Sequence, residues 1–490
     1  MVYRFLKIFC CYILFSTQLL CQSDLQTYLN TLKTKTGLET ALIGISVKQA
    51  DGTKLASLNE HILLSPASCQ KIVTTSTALL LLGADFQFET LLQYDGTLDV
   101  STGVLNGNIY LKGGGDPSFG SDKFTSTVMD SVYSKLVARA KQIGIKKING
   151  RIIGDDTAFE TIMAPGTWDW GDLGQYYGAG ASGLTVSDNT IFYYLKSGAT
   201  GTNTQLVRTS PKVPGLVLIN EVKSGENKGG DDSFIFGSEY SNYRHLVGKV
   251  SANESEFKIK GSIPDPAWFA AYYLDSCLEV NGITVKDLPS TTRILTENKI
   301  SYTTSADRNH IGTIYSPVLK NLIKQINVQS NNLYAEHLHK YLSYKQNGIG
   351  ANLTSNEIVQ NFWVNKGIPK NELVPIDGSG LSRSNAITAS ALTDILIKMK
   401  SEKCFADFFW TLPVSGKSGT MASFGKGSII ENNYSGKSGS MTRVRAYCGY
   451  LKSKNGKDIV FTMIFNNYTC KNPDVKKICE EVAIRIAELN

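Results

Sequence analysis

The chain predicts an α+β fold in which an antiparallel sheet is flanked by helices and interrupted by a large, strand-rich inserted module. Three observations predict it. The N-terminal part reads helix, hairpin, helix, the C-terminal part reads strand, strand, helix, and from about residue 85 to 263 the texture changes to short strands and tight turns. At 490 residues, with 42% hydrophobic and 19% charged side chains, the composition is that of an ordinary globular protein of about three domains.

Residues 1–21 place Arg4 and Lys7 ahead of an uncharged apolar run from Ile8 to Leu20, the pattern of a secretory signal cleaved before Gln22. Cys21 also offers a lipoprotein-type site, although Leu20 is large for the residue before it. No later stretch is long and apolar enough to span a bilayer, so a periplasmic or secreted protein without a transmembrane anchor is expected. Six cysteines remain after the signal, without metal-ligand spacing, and export permits disulfides without proving any. The formal charge of +7 falls to about +5 without Arg4 and Lys7 and forms no basic block, which does not suggest a nucleic-acid partner.

The body follows in order. Leu25, Leu29 and Leu32 mark an amphipathic helix, Ala41 to Lys48 a strand, Asp51-Gly52 a turn into a second strand, and Ile72 to Leu82 an apolar helix stopped by Gly83. Ser65-Pro66 reads as its N-cap and first residue. In the insert, Asp95-Gly96, Asn106-Gly107 and Gly113-Gly114-Gly115-Asp116 punctuate strands around one helix from about Thr125 to Ile143. Trp168, Trp170, Tyr176 and Tyr177 cluster there, as local packing or as a platform for a sugar or peptide. Helices return from Pro317, with a joint at Gln329-Ser330-Asn331-Asn332. The strands Val444 to Tyr450 and Ile459 to Phe465 precede a last helix from Pro473. The expected organisation is 22–84 plus 264–490 as the body and 85–263 as the insert, large enough for two small domains.

Ser68 and Lys71 carry the chemistry. Residues three apart on a helix share a face, so the Lys71 amine reaches the Ser68 hydroxyl, and the positive end of the helix dipole favours an attacking oxyanion. Ser255-x-x-Lys258 and Ser423-x-x-Lys426 match the spacing but sit in an alternating strand and a glycine-rich loop. Ser330 and Asn332, two apart on the helix joint, offer a hydroxyl and an amide to a cleft. Lys437-Ser438-Gly439-Ser440 runs directly into an alternating strand, whereas Gly416-Lys417-Ser418-Gly419-Thr420 runs into a loop.

Ser68-x-x-Lys71, Ser330-x-Asn332 and Lys437-Ser438-Gly439 together resemble the motif set of penicillin-recognising serine enzymes. Pro66-Ala67-Ser68, Gly114-Gly115-Asp116-Pro117, Asp377-Gly378-Ser379-Gly380-Leu381-Ser382-Arg383 and Leu412-Pro413-Val414 narrow it to class C low-molecular-mass penicillin-binding proteins, D-alanyl-D-alanine carboxypeptidases and endopeptidases. The resemblance implies a penicillin-binding, serine β-lactamase-like transpeptidase fold, peptidoglycan stem peptides as substrates, β-lactams as inhibitors, and neither cofactor nor metal. It implies that Ser68 attacks the penultimate D-alanine carbonyl and that Lys71 moves its proton. By the same resemblance Ser330 would relay a proton to the leaving amine and Asn332 would hold the substrate amide. Lys437 and Ser438 would bind the terminal carboxylate, and the N–H groups of Ser68 and Ser440 would form the oxyanion hole. A second ammonium such as Lys437 near Lys71 would lower the base's pKa. Asn331 and Ser438 depart from the usual Asp and Thr, but keep the functional atoms. Ser187-Asp188-Asn189 spells the middle motif literally, yet lies in the insert and reads as a turn.

A β-lactamase of related fold and a non-catalytic wall-binding scaffold are the alternatives. The first lacks a Glu-x-x-Leu-Asn type loop to hold a deacylating water, and intact Ser68, Lys71, Ser330 and Lys437 argue against the second. A Ser-His-Asp hydrolase would need a Gly-x-Ser-x-Gly elbow that the chain does not contain.

Overall fold

The computed structural model describes residues 24–490, so the expected signal segment, including Cys21, lies outside the described residues. The chain divides into two compact units. One holds the described residues up to Ala84 together with Ile323–Ser330 and Asn356–Asn490, and the other holds Asp85–Leu322 and Asn331–Ser355.

The first unit is built on a five-stranded sheet, every neighbouring pair antiparallel. Its order is Lys54–Leu58, Leu42–Gln49, Asp458–Asn466, Val444–Lys452 and Ser435–Met441. The central Asp458–Asn466 strand is buried from Ile459 onward because both sheet faces are covered, so it reads as a continuous apolar run rather than an alternating one. On one face Ile43, Ile45, Val47, Phe461, Met463 and Phe465 pack with Leu25, Leu29, Val475, Val482 and Ile486 from the terminal helices. The other face meets the Ala389–Lys400 helix, where Thr393 and Thr462 share a hydrogen bond of 2.9 Å and Lys48 reaches Asp394 at 2.6 Å. The sheet-and-helix body expected from the sequence is thus present, with Ser435–Met441 at its edge.

The second unit contains several sheets. One places Ile152–Asp155 and Ile109–Gly113 in parallel, then continues antiparallel through Glu89–Tyr94 to Asn309–Tyr315. Smaller sheets are centred on Thr190–Lys196 and on Tyr243–Val250. The sequence boundary at 263/264 does not coincide with this division. The Pro266–Val280 helix, capped by Asp265 accepting from the Trp268 N–H at 2.9 Å, buries Phe269, Ala270, Leu274 and Leu278 in one core with Val132, Tyr133, Leu136 and Val137 of the Met129–Gln142 helix. Helical texture made this segment resemble the flanks, while its apolar face belongs to the strand-rich unit.

Candidate active site

The Ser68 turn departs from the expected cap. Ala67–Cys69 form a 3-10 turn that leads into the Gln70–Leu82 helix, and the buried Ser65 hydroxyl takes no hydrogen bond. Ala67 sits at φ +45, a left-handed conformation that costs a residue with a Cβ roughly 1–2 kcal/mol. Strain of this kind persists where the surroundings over-determine it. Here they are close: a Cβ on Gly380 would fall 2.0 Å from the Ala67 carbonyl oxygen, and one on Gly439 would fall 2.5 Å from Pro66 O and 3.0 Å from Ser68 N. Both glycines let the backbone approach the turn. Lys71 is fully buried, and its Nζ donates to Ser68 Oγ at 3.1 Å and to the Ser379 carbonyl at 2.6 Å.

A second hydrogen-bonded pair lies on the sheet edge. Lys437, paired in register with Cys448, is fully buried and donates to Ser330 Oγ at 3.0 Å and to the Ser438 carbonyl at 2.7 Å. Burial pushes its ammonium down to about 8. Ser330 ends the Leu319–Gln329 helix at φ +58, a further left-handed residue at the site. Ser438 Oγ donates to Thr420 Oγ1 at 2.8 Å. The two pairs meet through Gly439 against the Ser68 turn and through the Cys69 thiol, which donates to the Lys437 carbonyl at 3.4 Å. Cys69 is a buried packing residue, and all six cysteines from Cys69 to Cys479 carry free thiols.

The remaining predicted residues have definite places. Ser440 is exposed on the same edge strand, one residue past Gly439. Asn332 opens the Asn332–Asn347 helix in the second unit, where its Nδ2 donates to the Tyr177 carbonyl at 2.8 Å. Asn331 is that helix's N-cap, accepting from the Tyr334 N–H at 3.2 Å, a duty that Asp performs equally well. Lys417 is exposed in a loop, whereas Lys437 is buried on a strand. Ser187, Asp188 and Asn189 form a turn with all three residues at positive φ, and Asp188 is engaged by Lys123 and by the Tyr334 hydroxyl.

Three contributors escaped the sequence reading. Ser379 supplies the carbonyl under Lys71, on a loop whose Asp377 carboxylate accepts from the N–H groups of Gly380 and Ser382, each at 2.6 Å. Thr420, at the end of the rejected Lys417 motif, accepts from Ser438. Asn327 links to Thr411 at 2.9 Å, tying the helix before Ser330 to the segment whose Pro413 carbonyl accepts from Gly436. The Asp-Gly-Ser-Gly spelling was a signal for the first of these. The other two contacts join residues too far apart in sequence for any local pattern to pair them.

Residues 25–489 match the D-Ala-D-Ala carboxypeptidase 3 (S13) family. The chain is 26% identical over 485 residues to a D-alanyl-D-alanine carboxypeptidase of Actinomadura, covering 95% of this chain and 85% of that one. It is 26% identical over 469 residues to a penicillin-sensitive carboxypeptidase A of Dictyostelium discoideum, covering 89% and 84%. The solved structure of penicillin binding protein 4 from Haemophilus influenzae superposes with a TM-score of 0.78 at 23% identity, over 95% of this chain and 97% of that one, and shares its fold. With a buried lysine on its serine and a sheet-edge lysine beside it, the chain belongs to the D-Ala-D-Ala carboxypeptidase 3 family and is a serine-type hydrolase.

Proposed function

We propose that this protein hydrolyses the D-alanyl-D-alanine bond of peptidoglycan stem peptides through an acyl-enzyme on Ser68, after export directed by residues 1–21. The observation that carries this reading is the paired geometry, Lys71 Nζ on Ser68 Oγ at 3.1 Å and Lys437 Nζ on Ser330 Oγ at 3.0 Å, with Gly439 of the Lys437 strand packed against the Ser68 turn. Lys71 takes the Ser68 proton as Oγ bonds to the penultimate D-alanine carbonyl carbon. The oxyanion is held by the N–H groups of Ser68 and Ser440, an arrangement that typically contributes about 3–4 kcal/mol. As the C–N bond breaks, the proton taken up by Lys71 is relayed through the Ser330 hydroxyl to the leaving amine of the terminal D-alanine. Water then attacks the ester carbonyl, gives its proton to Lys71, and Lys71 returns that proton to Ser68 Oγ as the ester C–O bond breaks.

Lys437 and Ser438 bind the terminal carboxylate in this scheme, and Asn332 binds the substrate amide. A lysine with its pKa near 8 is still mostly charged at neutral pH, as that role requires. β-Lactams carry the same carboxylate beside a strained amide and are the expected inhibitors. The reaction is tested by incubating the protein with a synthetic peptide ending in D-Ala-D-Ala and assaying free D-alanine. Release by wild type and loss of at least about 10³-fold in Ser68→Ala are expected. Equal release by both proteins would rule out the acyl-enzyme route.

A further inference from the structure

The second unit carries a cavity of about 680 Å³ that the reaction above does not use, lined in part by Trp168, Trp170, Glu239, Tyr240, Arg293 and Glu297. Its size is that of a small-molecule site. Trp170 is 62% exposed, an unusual setting for the largest apolar side chain, while Trp168 is turned in at 6%. The Trp170 ring stacks on Phe236 with centroids 4.8 Å apart and planes 21° apart. One indole face is therefore fixed against the protein and the other is left to solvent.

The walls are tied to each other before any ligand arrives. The Glu239 carboxylate accepts from the N–H groups of Met163, at 3.0 Å, and Ala164, and the Tyr240 hydroxyl donates to the Thr161 carbonyl at 2.6 Å. Arg293 lies 4.1 Å over the Tyr240 ring, with Nη2 on Asp265 and Nη1 on Glu297, each at 2.7 Å, and its buried Nε has no partner. Two carboxylates thus answer the one guanidinium. A phosphate or acidic peptide would find no surplus positive charge here, and a hydrocarbon would leave the ionic edge without water. A pyranose satisfies both halves: its C–H face stacks on an indole, and its hydroxyls and acetamido group both donate to carboxylate and accept from guanidinium.

We propose that this cavity binds a neutral sugar unit of the N-acetylhexosamine class, with Trp170 as the stacking platform and Arg293 and Glu297 as the polar edge. The proposal rests on the reading above in one respect, that stem peptides hang from glycan strands of such sugars, so the site would grip the polymer whose peptides Ser68 cleaves. The probe is chitotetraose, the β-1,4-linked tetramer of N-acetylglucosamine, titrated calorimetrically into the full chain. Saturable binding is expected, weakened about tenfold or more in Trp170→Ala and in Glu297→Gln and largely kept in Trp170→Phe, with thermal melts checking that each variant folds.

D-Alanine release from a sugar-free peptide should be unchanged in all three variants. No saturable binding by wild type would overturn the proposal. Binding equal in wild type and Trp170→Ala would do the same, as would Trp170-dependent binding of a sugar-free stem peptide in place of the tetramer. Trp170-dependent tetramer binding by a wild type that releases no D-alanine would leave the sugar site standing and remove the peptidase reading instead.

Discussion

Ser68, Lys71, Ser330 and Lys437 are the residues proposed to carry the reaction, and three substitutions probe that assignment. Gly439→Ala places a methyl group 2.5 Å from Pro66 O and 3.0 Å from Ser68 N, closer than a Cβ tolerates, so the nucleophile turn or the strand must shift. We expect the rate of Ser68 acylation by a β-lactam to fall by about 10²-fold or more, because small misplacements of reacting groups cost that much. Stopped-flow acylation, set beside a thermal melt that shows the variant folded, measures it. Lys437 sets a pH limit. Burial lowers its pKa to about 8, so the ammonium is charged below that pH and neutral above it. For a substrate with a free terminal carboxylate, kcat/KM should fall as pH rises through about 8. Lys437→Ala should abolish turnover and Lys417→Ala should spare it. Loss in Lys417→Ala alone would reverse the assignment.

Elements explain what the sequence made legible. Ser68 and Lys71 were readable because one turn of chain brings them together, and Lys437 because the alternating run behind it marks a strand. The Ser379 loop was flagged only by its Asp-Gly-Ser-Gly spelling, not by its contact with Lys71, and Thr420 by nothing, since each meets its partner only once separate segments pack. The expected Ser65 cap failed because Ala67 adopts a left-handed conformation that propensity alone disfavours, in a turn against which Gly380 and Gly439 pack too closely to carry a Cβ. Asn331, an apparent departure from the middle motif, acquires a local reason as the N-cap of Asn332–Asn347. Asn331→Asp should therefore leave thermal stability nearly unchanged, while Asn331→Ala should cost about 1 kcal/mol in a denaturant melt. Equal losses in both would show that the cap is not what fixes this position.

For the molecule as a whole, the sheet-and-helix body was legible because both chain ends spell it out. The boundary of the second unit was not, because the Pro266–Val280 helix reveals its allegiance only through the core it fills. That unit also buries a titrating acid. Asp156, beside Asp265 and Asp155, has its pKa raised from 3.8 to about 7, chiefly by burial, and accepts from Thr292 at 3.2 Å. A carboxyl whose folded pKa is raised contributes most at low pH, where both states are protonated, and that contribution is lost as pH rises from about 4 through about 7. Asp156→Asn removes this titration. The melting temperature of the variant relative to wild type should rise between pH 5 and pH 8, and a pH-independent difference would contradict the buried-acid account.

As the proposed nucleophile of a peptidase without a fast deacylating base, Ser68 should trap a penicillin as a long-lived acyl-enzyme. Wild type and Ser68→Ala are incubated with a fluorescent penicillin, and the label is followed on a denaturing gel over time. Label should persist on wild type for many minutes and be absent from Ser68→Ala, because the leaving amine of a β-lactam stays tethered to the acyl group and blocks its hydrolysis. Label surviving in folded Ser68→Ala, or no label on folded wild type, would contradict Ser68 as the nucleophile.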